Sequence, residues 1–157
     1  NADLRFHTPN AVHIRNISEK LARLMMKANF KTLRLGLETT AFENRSELDR
    51  KVTEAEFKQG VAYLKAAGFT KDQVGAYLLA GLPGQTVRAI EDSIRVVRES
   101  GISSVPTYYT PIPHTKMWSQ AVACSRYDLE ADPVFTNNAL LPCMPKFLWE
   151  VISRLKN

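Results

Sequence analysis

The chain has 157 residues, 45% hydrophobic and 24% charged, the balance of one ordinary soluble domain, which excludes a disordered polymer. Its net charge of +5 comes from scattered basic residues, so a solvated surface accounts for it better than a nucleic-acid-binding arm. No apolar run approaches the roughly 18 residues a membrane helix needs and no secretory leader is visible, so a cytoplasmic protein without a membrane partner is expected.

In chain order, Leu4 to Thr8 reads as a strand stopped by Pro9-Asn10. Ile17, Leu21, Leu24, Met25 and Ala28 follow at helical spacing. Thr32 to Glu38 alternates as a strand does, with Leu33, Leu35 and Leu37 on one face and Arg34, Gly36 and Glu38 on the other. Phe42 to Lys51 is polar and reads as a loop. Thr53 and Glu56 form a capping box at the head of a helix with an apolar stripe of Phe57, Val61 and Leu64, and Gly68 ends it. Val74 to Ala80 is an apolar strand closed by Gly81-Leu82-Pro83-Gly84. Thr86 caps the next helix, striped by Val87, Ile90, Ile94 and Val97 and ended by Gly101. Ser104 to Thr110 is the next strand, stopped by Pro111-Ile112-Pro113. Beyond Ala123 three prolines interrupt the chain, and Phe147, Leu148, Val151, Ile152 and Leu155 pattern a terminal helix.

Strand and helix thus alternate about four times, the signature of an α/β fold with a parallel sheet. A full (β/α)₈ barrel uses about 250 residues, about 31 per unit, so the length predicts a half barrel of about four βα units with a C-terminal helical tail. A small open doubly wound sheet fits the same count.

Parallel α/β folds gather ligands at the C-terminal ends of their strands. Four such ends occur here: Thr8–Asn10, Gly36–Thr39, Gly81–Gln85 and Tyr109–Thr115. Glu38 lies on the face opposite the leucines, where a carboxylate needs a partner. A ribose diol or a ligand ammonium would serve; an ion pair with Arg34 or a cap through Thr39 would serve equally. Gly81 to Thr86 joins strand to helix and suits close backbone approach or an anion, but it is neither a P-loop nor GxGxxG, and an ordinary tight turn explains it. Lys51 alone reads as solvated. His7, His13 and His114 show no ligand spacing and receive no catalytic role. Tyr108, Tyr109 and Trp118 could stack on a base, although packing is the commoner use of such residues. The two cysteines, Cys124 and Cys143, are too few for a disulfide framework and belong to no CxxC or Cys/His cluster, so no metal site can be read.

The motifs taken in order are GLET at Gly36–Thr39, Lys51-Val52-Thr53, Leu64–Phe69, Tyr77–Thr86 and Tyr109–Thr115 followed by Trp118. Over Leu4 to Ala121 this series strongly resembles the C-terminal half of the radical S-adenosylmethionine (radical SAM) core. It is most similar to the Fe–S oxidoreductase branch associated with cobalamin-binding domains. The resemblance implies a partial (β/α) barrel over residues 3–122; the proline-broken tail over 123–157 reads as a C-terminal extension, and Asn1-Ala2 reads as a cloning remnant. It implies that Glu38 hydrogen-bonds the ribose or methionine part of S-adenosylmethionine and that Lys51 faces its carboxylate. Gly81, Leu82 and Pro83 would approach the adenine, and Tyr109, Pro111 and Pro113 would complete that wall. His114 stands where many relatives carry glycine.

The family holds a [4Fe-4S] cluster with CxxxCxxC, and this sequence has no such motif; its two cysteines are 19 residues apart. The cluster ligands are therefore expected elsewhere in a longer parent chain, which would cleave S-adenosylmethionine reductively to a 5′-deoxyadenosyl radical. Cobalamin is a further cofactor the resemblance suggests for that parent, and the substrate is unspecified. This chain alone is expected to be inactive, and a half barrel with open strand edges is expected to self-associate. Two other readings are a non-enzymatic α/β nucleotide-binding or scaffold module without a cluster, and a phosphate-binding barrel enzyme that uses Gly81–Thr86 as its anion site.

Overall fold

The computed structural model describes residues 4–42 and 52–144. The chain forms two compact units, the first within Asn1–Leu78 and Asp92–Val105, the second within Leu79–Glu91 and Pro106–Asn157. The predicted terminal helix and Lys51 lie outside the described residues.

The fold is α/β with a parallel sheet, as a partial (β/α) barrel requires. Its strands are β1 (Phe6–His7), β2 (Val12–His13), β3 (Phe30–Glu38), β4 (Val74–Ala80) and β5 (Ser103–Tyr108). Its helices are α1 (Glu19–Lys27), α2 (Glu54–Ala66), α3 (Val87–Glu99) and α4 (Trp118–Cys124). The strand order is β1-β3-β4-β5, with β2 also on β3. Each new strand after β2 is thus added beside the previous one. A doubly wound sheet would reverse direction at a switch point, and this order does not. Right-handed crossovers in such a series put successive helices on one face.

Burial in the first unit agrees. Leu33, Leu35 and Leu37 of β3 are at most 1% exposed, as are Val74, Ala76 and Leu78 of β4. Phe57, Val61 and Leu64 of α2 are buried as the stripe predicts. Each fully buried Leu or Phe is worth about 1.5–3 kcal/mol, so this face supplies most of the unit's cohesion. On the other face Arg34, Gly36 and Tyr77 are only half-buried. The register sets Arg34 opposite Gly75 and Gly36 opposite Tyr77. Tyr77 Oη donates to the Pro9 carbonyl at 2.8 Å.

The helix ends follow local chemistry. Thr53 Oγ1 accepts from the Glu56 N–H at 3.2 Å, and Glu56 Oε2 accepts from the Thr53 N–H at 2.7 Å. The capping box read from the sequence is therefore present. That backbone hydrogen bond, with Arg15 at 3.0 Å, holds the Glu56 carboxyl below the usual carboxylate range. At the other end of α2, Gly68 takes φ +99° and donates to the Lys65 carbonyl, while Phe69 donates to that of Leu64. This is a Schellman stop.

Three expectations are corrected. The strand expected at Leu4–Thr8 shortens to β1, and a second short piece that was not expected, β2, follows beyond Pro9-Asn10; both pair parallel to β3. Pro9 lacks an N–H and interrupts the ladder between them. The stripe expected on α1 is rotated: Ala22 and Met25 are buried, but Leu24 is 52% exposed and Ala28 is exposed as well. β5 also ends earlier than expected, at Tyr108 rather than Thr110.

Gly75 is the tightest point of the half-buried face. A Cβ there would lie 2.8 Å from Val105 Cγ2 and 3.2 Å from Arg34 Nη1. Gly75→Ala is expected to cost about 1–3 kcal/mol through overpacking, read as a lower midpoint in thermal denaturation, and Gly75→Val to cost more.

Candidate functional site

The first strand end of interest is that of β3. Its pairing with β4 runs Gly36 to Tyr77 and then Glu38 to Leu78, so Leu37 is an extra residue. Directly after this bulge the Thr39 N–H donates to the Leu37 carbonyl at 2.8 Å, which closes a three-residue turn about Glu38. Glu38 sits at φ +66°. A γ-turn of this hand is rare and strained, and a non-glycine residue held there costs on the order of 1–3 kcal/mol.

The turn is anchored on its far side. Thr40 Oγ1 lies 3.1 Å from the Oγ of Ser93, the buried polar residue of α3, and the Ala41 N–H donates to Thr39 Oγ1. The two threonines of GLETT thus fix the chain just beyond the strained carboxylate-bearing residue. Alternation assigned Glu38 a face on the pleat, but the pleat ends at the bulge before it; that bulge depends on the β4 partner, which local pattern does not contain.

The second unit carries the ends of β4 and β5. Gly81 takes φ +89° and Gly84 φ +73°. The loop is closed by Gln85. Its Oε1 accepts from the N–H groups of Gly81 at 2.8 Å and Leu82 at 3.2 Å, and its Nε2 donates to the Leu79 carbonyl at 3.0 Å. Thr86 Oγ1 accepts from the Ala89 N–H and caps α3. The N–H groups on which an anion-binding reading of this loop would draw at Gly81 and Leu82 are therefore already used. Gln85 was visible in the motif, but its structural role was not, because that role needs the loop's folded shape.

Gly81 also makes a close approach. A Cβ there would meet Leu141 Cδ2 at 3.1 Å. Leu82 and Pro83 are half-buried. The Tyr109 N–H donates to the Ala80 carbonyl at 2.9 Å, so the chain after β5 runs beside the end of β4. Tyr109 is buried with Ala121, Leu129 and Cys143, and Leu82 and Trp118 pack against this cluster. Its hydroxyl is buried without a partner, and burial, with smaller effects of Cys143 and Cys124, pushes the phenol up from its ordinary value. Pro111 is buried and Pro113 exposed. His114 takes φ +64°, the left-handed region glycine prefers.

Six of the eight expected site residues, Gly81, Leu82, Pro83, Tyr109, Pro111 and Pro113, thus belong to the second unit. Glu38 belongs to the first, and Lys51 is outside the described residues. Among the described residues there is no group of three or more His, Cys, Asp or Glu able to hold a metal ion. Nor is any helix among them long and apolar enough to cross a membrane. No family model matches the chain, and no curated protein matches it.

Two variants test this geometry. Gln85→Ala removes the acceptor for two N–H groups and the donor to Leu79, so a loss of about 1–3 kcal/mol is expected. Hydrogen exchange at Gly81 and Leu82 should quicken, with Gln85→Glu falling between wild type and Gln85→Ala because it keeps the acceptor. At Glu38 the left-handed backbone should make Glu38→Gly more stable than Glu38→Ala by about 1 kcal/mol in chemical denaturation. Equal stability of the two would remove the strain from the account.

Proposed function

We propose that this chain is part of a radical SAM core and contributes a portion of the wall that binds S-adenosylmethionine. The observation that carries the reading is Glu38, a carboxylate held in a strained turn at the C-terminal end of a parallel strand. Backbone strain of this kind concentrates at ligand-binding positions. A carboxylate accepts both hydrogen bonds of a ribose diol, or pairs with an ammonium.

In this reading Glu38 holds the ribose or the methionine end. Lys51, from the segment before α2, faces the cofactor carboxylate. Gly81, Leu82 and Pro83 line the adenine, and Tyr109, Pro111 and Pro113 back them. With Gln85 occupying the Gly81 and Leu82 N–H groups, that wall offers shape and apolar surface more than hydrogen bonds. When bound and reduced, the cofactor supplies a 5′-deoxyadenosyl radical.

The cluster does not fit this chain. Three thiolates are needed, and the sequence has one exposed and one buried cysteine. No step is therefore assigned to the cluster here; a CxxxCxxC in the rest of the parent chain would hold it, and that remainder is the proposed partner. Cobalamin in the parent, a cytoplasmic setting and self-association of the isolated piece belong to the same proposal. The exposed Leu4 and Phe6 at the β1 edge favour the last of these.

The test is S-adenosylmethionine affinity of the full parent with its iron–sulfur cluster reconstituted. Glu38→Gln keeps the shape and removes the charge. It should weaken binding about 10- to 100-fold, the worth of a hydrogen bond to a charged group, with the circular dichroism spectrum unchanged. Unaltered affinity in the variant, or no binding by the wild type, overturns the proposal. Binding without 5′-deoxyadenosine formation by the parent would instead favour a nucleotide-binding module.

A further inference from the structure

Cys124 and Cys143 are distant in sequence and adjacent in the fold. Cys124 ends α4, and Cys143 follows a loop and two 3-10 turns. Both thiols point at one acceptor: Cys124 Sγ lies 3.7 Å and Cys143 Sγ 3.8 Å from the Ala121 carbonyl oxygen. Their environments differ. Cys124 is exposed and Cys143 buried. Burial, reinforced by the Cys124 thiol, pushes Cys143 up to about 12, so it remains a neutral thiol near pH 7. An exposed sulfur beside a buried one is the arrangement of a peroxidatic and a resolving cysteine.

A second observation lies in the same place. The Tyr109 hydroxyl is buried in the cluster that holds Cys143 and has no partner. Both thiols act on it electrostatically, Cys143 more than Cys124.

We propose that Cys124 and Cys143 form a peroxide-responsive thiol pair that closes to an intramolecular disulfide. In the first step the Cys124 thiolate attacks one oxygen of hydrogen peroxide. The O–O bond breaks, sulfur is oxidised to the sulfenic acid, and the departing hydroxide takes a proton to become water. In the second step the Cys143 sulfur attacks the Cys124 sulfur. The S–O bond breaks, the S–S bond forms, and the hydroxyl leaves with the Cys143 proton as water. Two thiols and one peroxide thus give one disulfide and two waters. Because attack comes from the neighbouring side chain, burial of Cys143 is no obstacle.

The consequence falls on the second unit's loops. The disulfide would close residues 124–143 into a ring, and that ring contains Leu141, which lies against Gly81. Oxidation therefore clamps the segment packed on the end of β4. This holds whatever the loop binds, so it stands apart from the cofactor proposal.

The test is a titration of the reduced chain with hydrogen peroxide, followed by alkylation and non-reducing peptide mapping. The expected result is a single cross-linked peptide pair containing Cys124 and Cys143. Both thiols should disappear together and return with dithiothreitol. In Cys143→Ser a dimedone adduct should accumulate on Cys124 at least tenfold above wild type. In Cys124→Ser the thiol of Cys143 should survive the same exposure. Intermolecular dimers, or oxidation of Cys124 while Cys143 stays countable after denaturation, overturns the proposal. The wild-type map alone decides the matter if either variant fails to fold.

Discussion

The period-two alternation of β3 is the constraint on which the described structure rests. Leu33, Leu35 and Leu37 must leave water together, and they do so in a core where α1 packs on β3 and α2 packs on α1. That commitment turns Arg34 and Gly36 to the opposite face. Small residues there leave room for neighbours to lie flat. Ala11 approaches over Gly36, while Arg34 and Val105 share the space over Gly75. The same alternation cannot continue through Glu38. A residue is inserted at Leu37, and the chain turns into a left-handed conformation at the next position. The carboxylate thus stands where the sheet's own rule stops, and where position is set by turn geometry instead of by pleat.

The two loops of the second unit solve a different problem. A strand-to-helix loop leaves N–H and C=O groups that must be paired if they are buried. Gln85 pairs three of them with one side chain, and Thr86 begins the capping of α3. The Gly81 and Leu82 N–H groups of this loop are therefore already paired. Its contribution to any ligand is therefore contour, which suits the flat apolar face of a base better than a phosphate. The charged chemistry of the proposed wall then rests mainly on Glu38 and Lys51. This distinction separates the cofactor reading from the anion-site reading of the same glycines more sharply than the motif did.

What could be read from sequence was what short-range physics decides. The capping box at Thr53 and Glu56 spans four residues, the Gly68 stop spans six, and the leucine alternation needs no partner to be seen. Four βα repeats were legible for the same reason, and the parallel α/β fold followed. The features that escaped all depend on a distant segment. Leu24 is exposed because the facing surface lies toward Ala22 and Met25, which periodicity alone does not orient to within one residue. The break between β1 and β2 is defined by their pairing with β3. The bulge before Glu38 is defined by β4. The two thiols converge because residues 129–143 fold back on α4, and spacing along the chain holds no trace of that.

The buried cluster around Tyr109 shows why stability is an incomplete account of these side chains. An unpartnered buried hydroxyl costs about 1–3 kcal/mol, and a phenylalanine would fill the same space without it. A buried thiol costs little as a small hydrophobe, yet alanine or valine would pack without its chemistry. The cluster keeps both, beside an exposed second thiol, in a region otherwise built of Ala121, Leu129 and ring faces such as the stacked Tyr127 and Phe135. Oxidation of Cys124 would give the buried thiol a reaction partner held against the same carbonyl. The thiol that is idle in the reduced state is the one that oxidation would use.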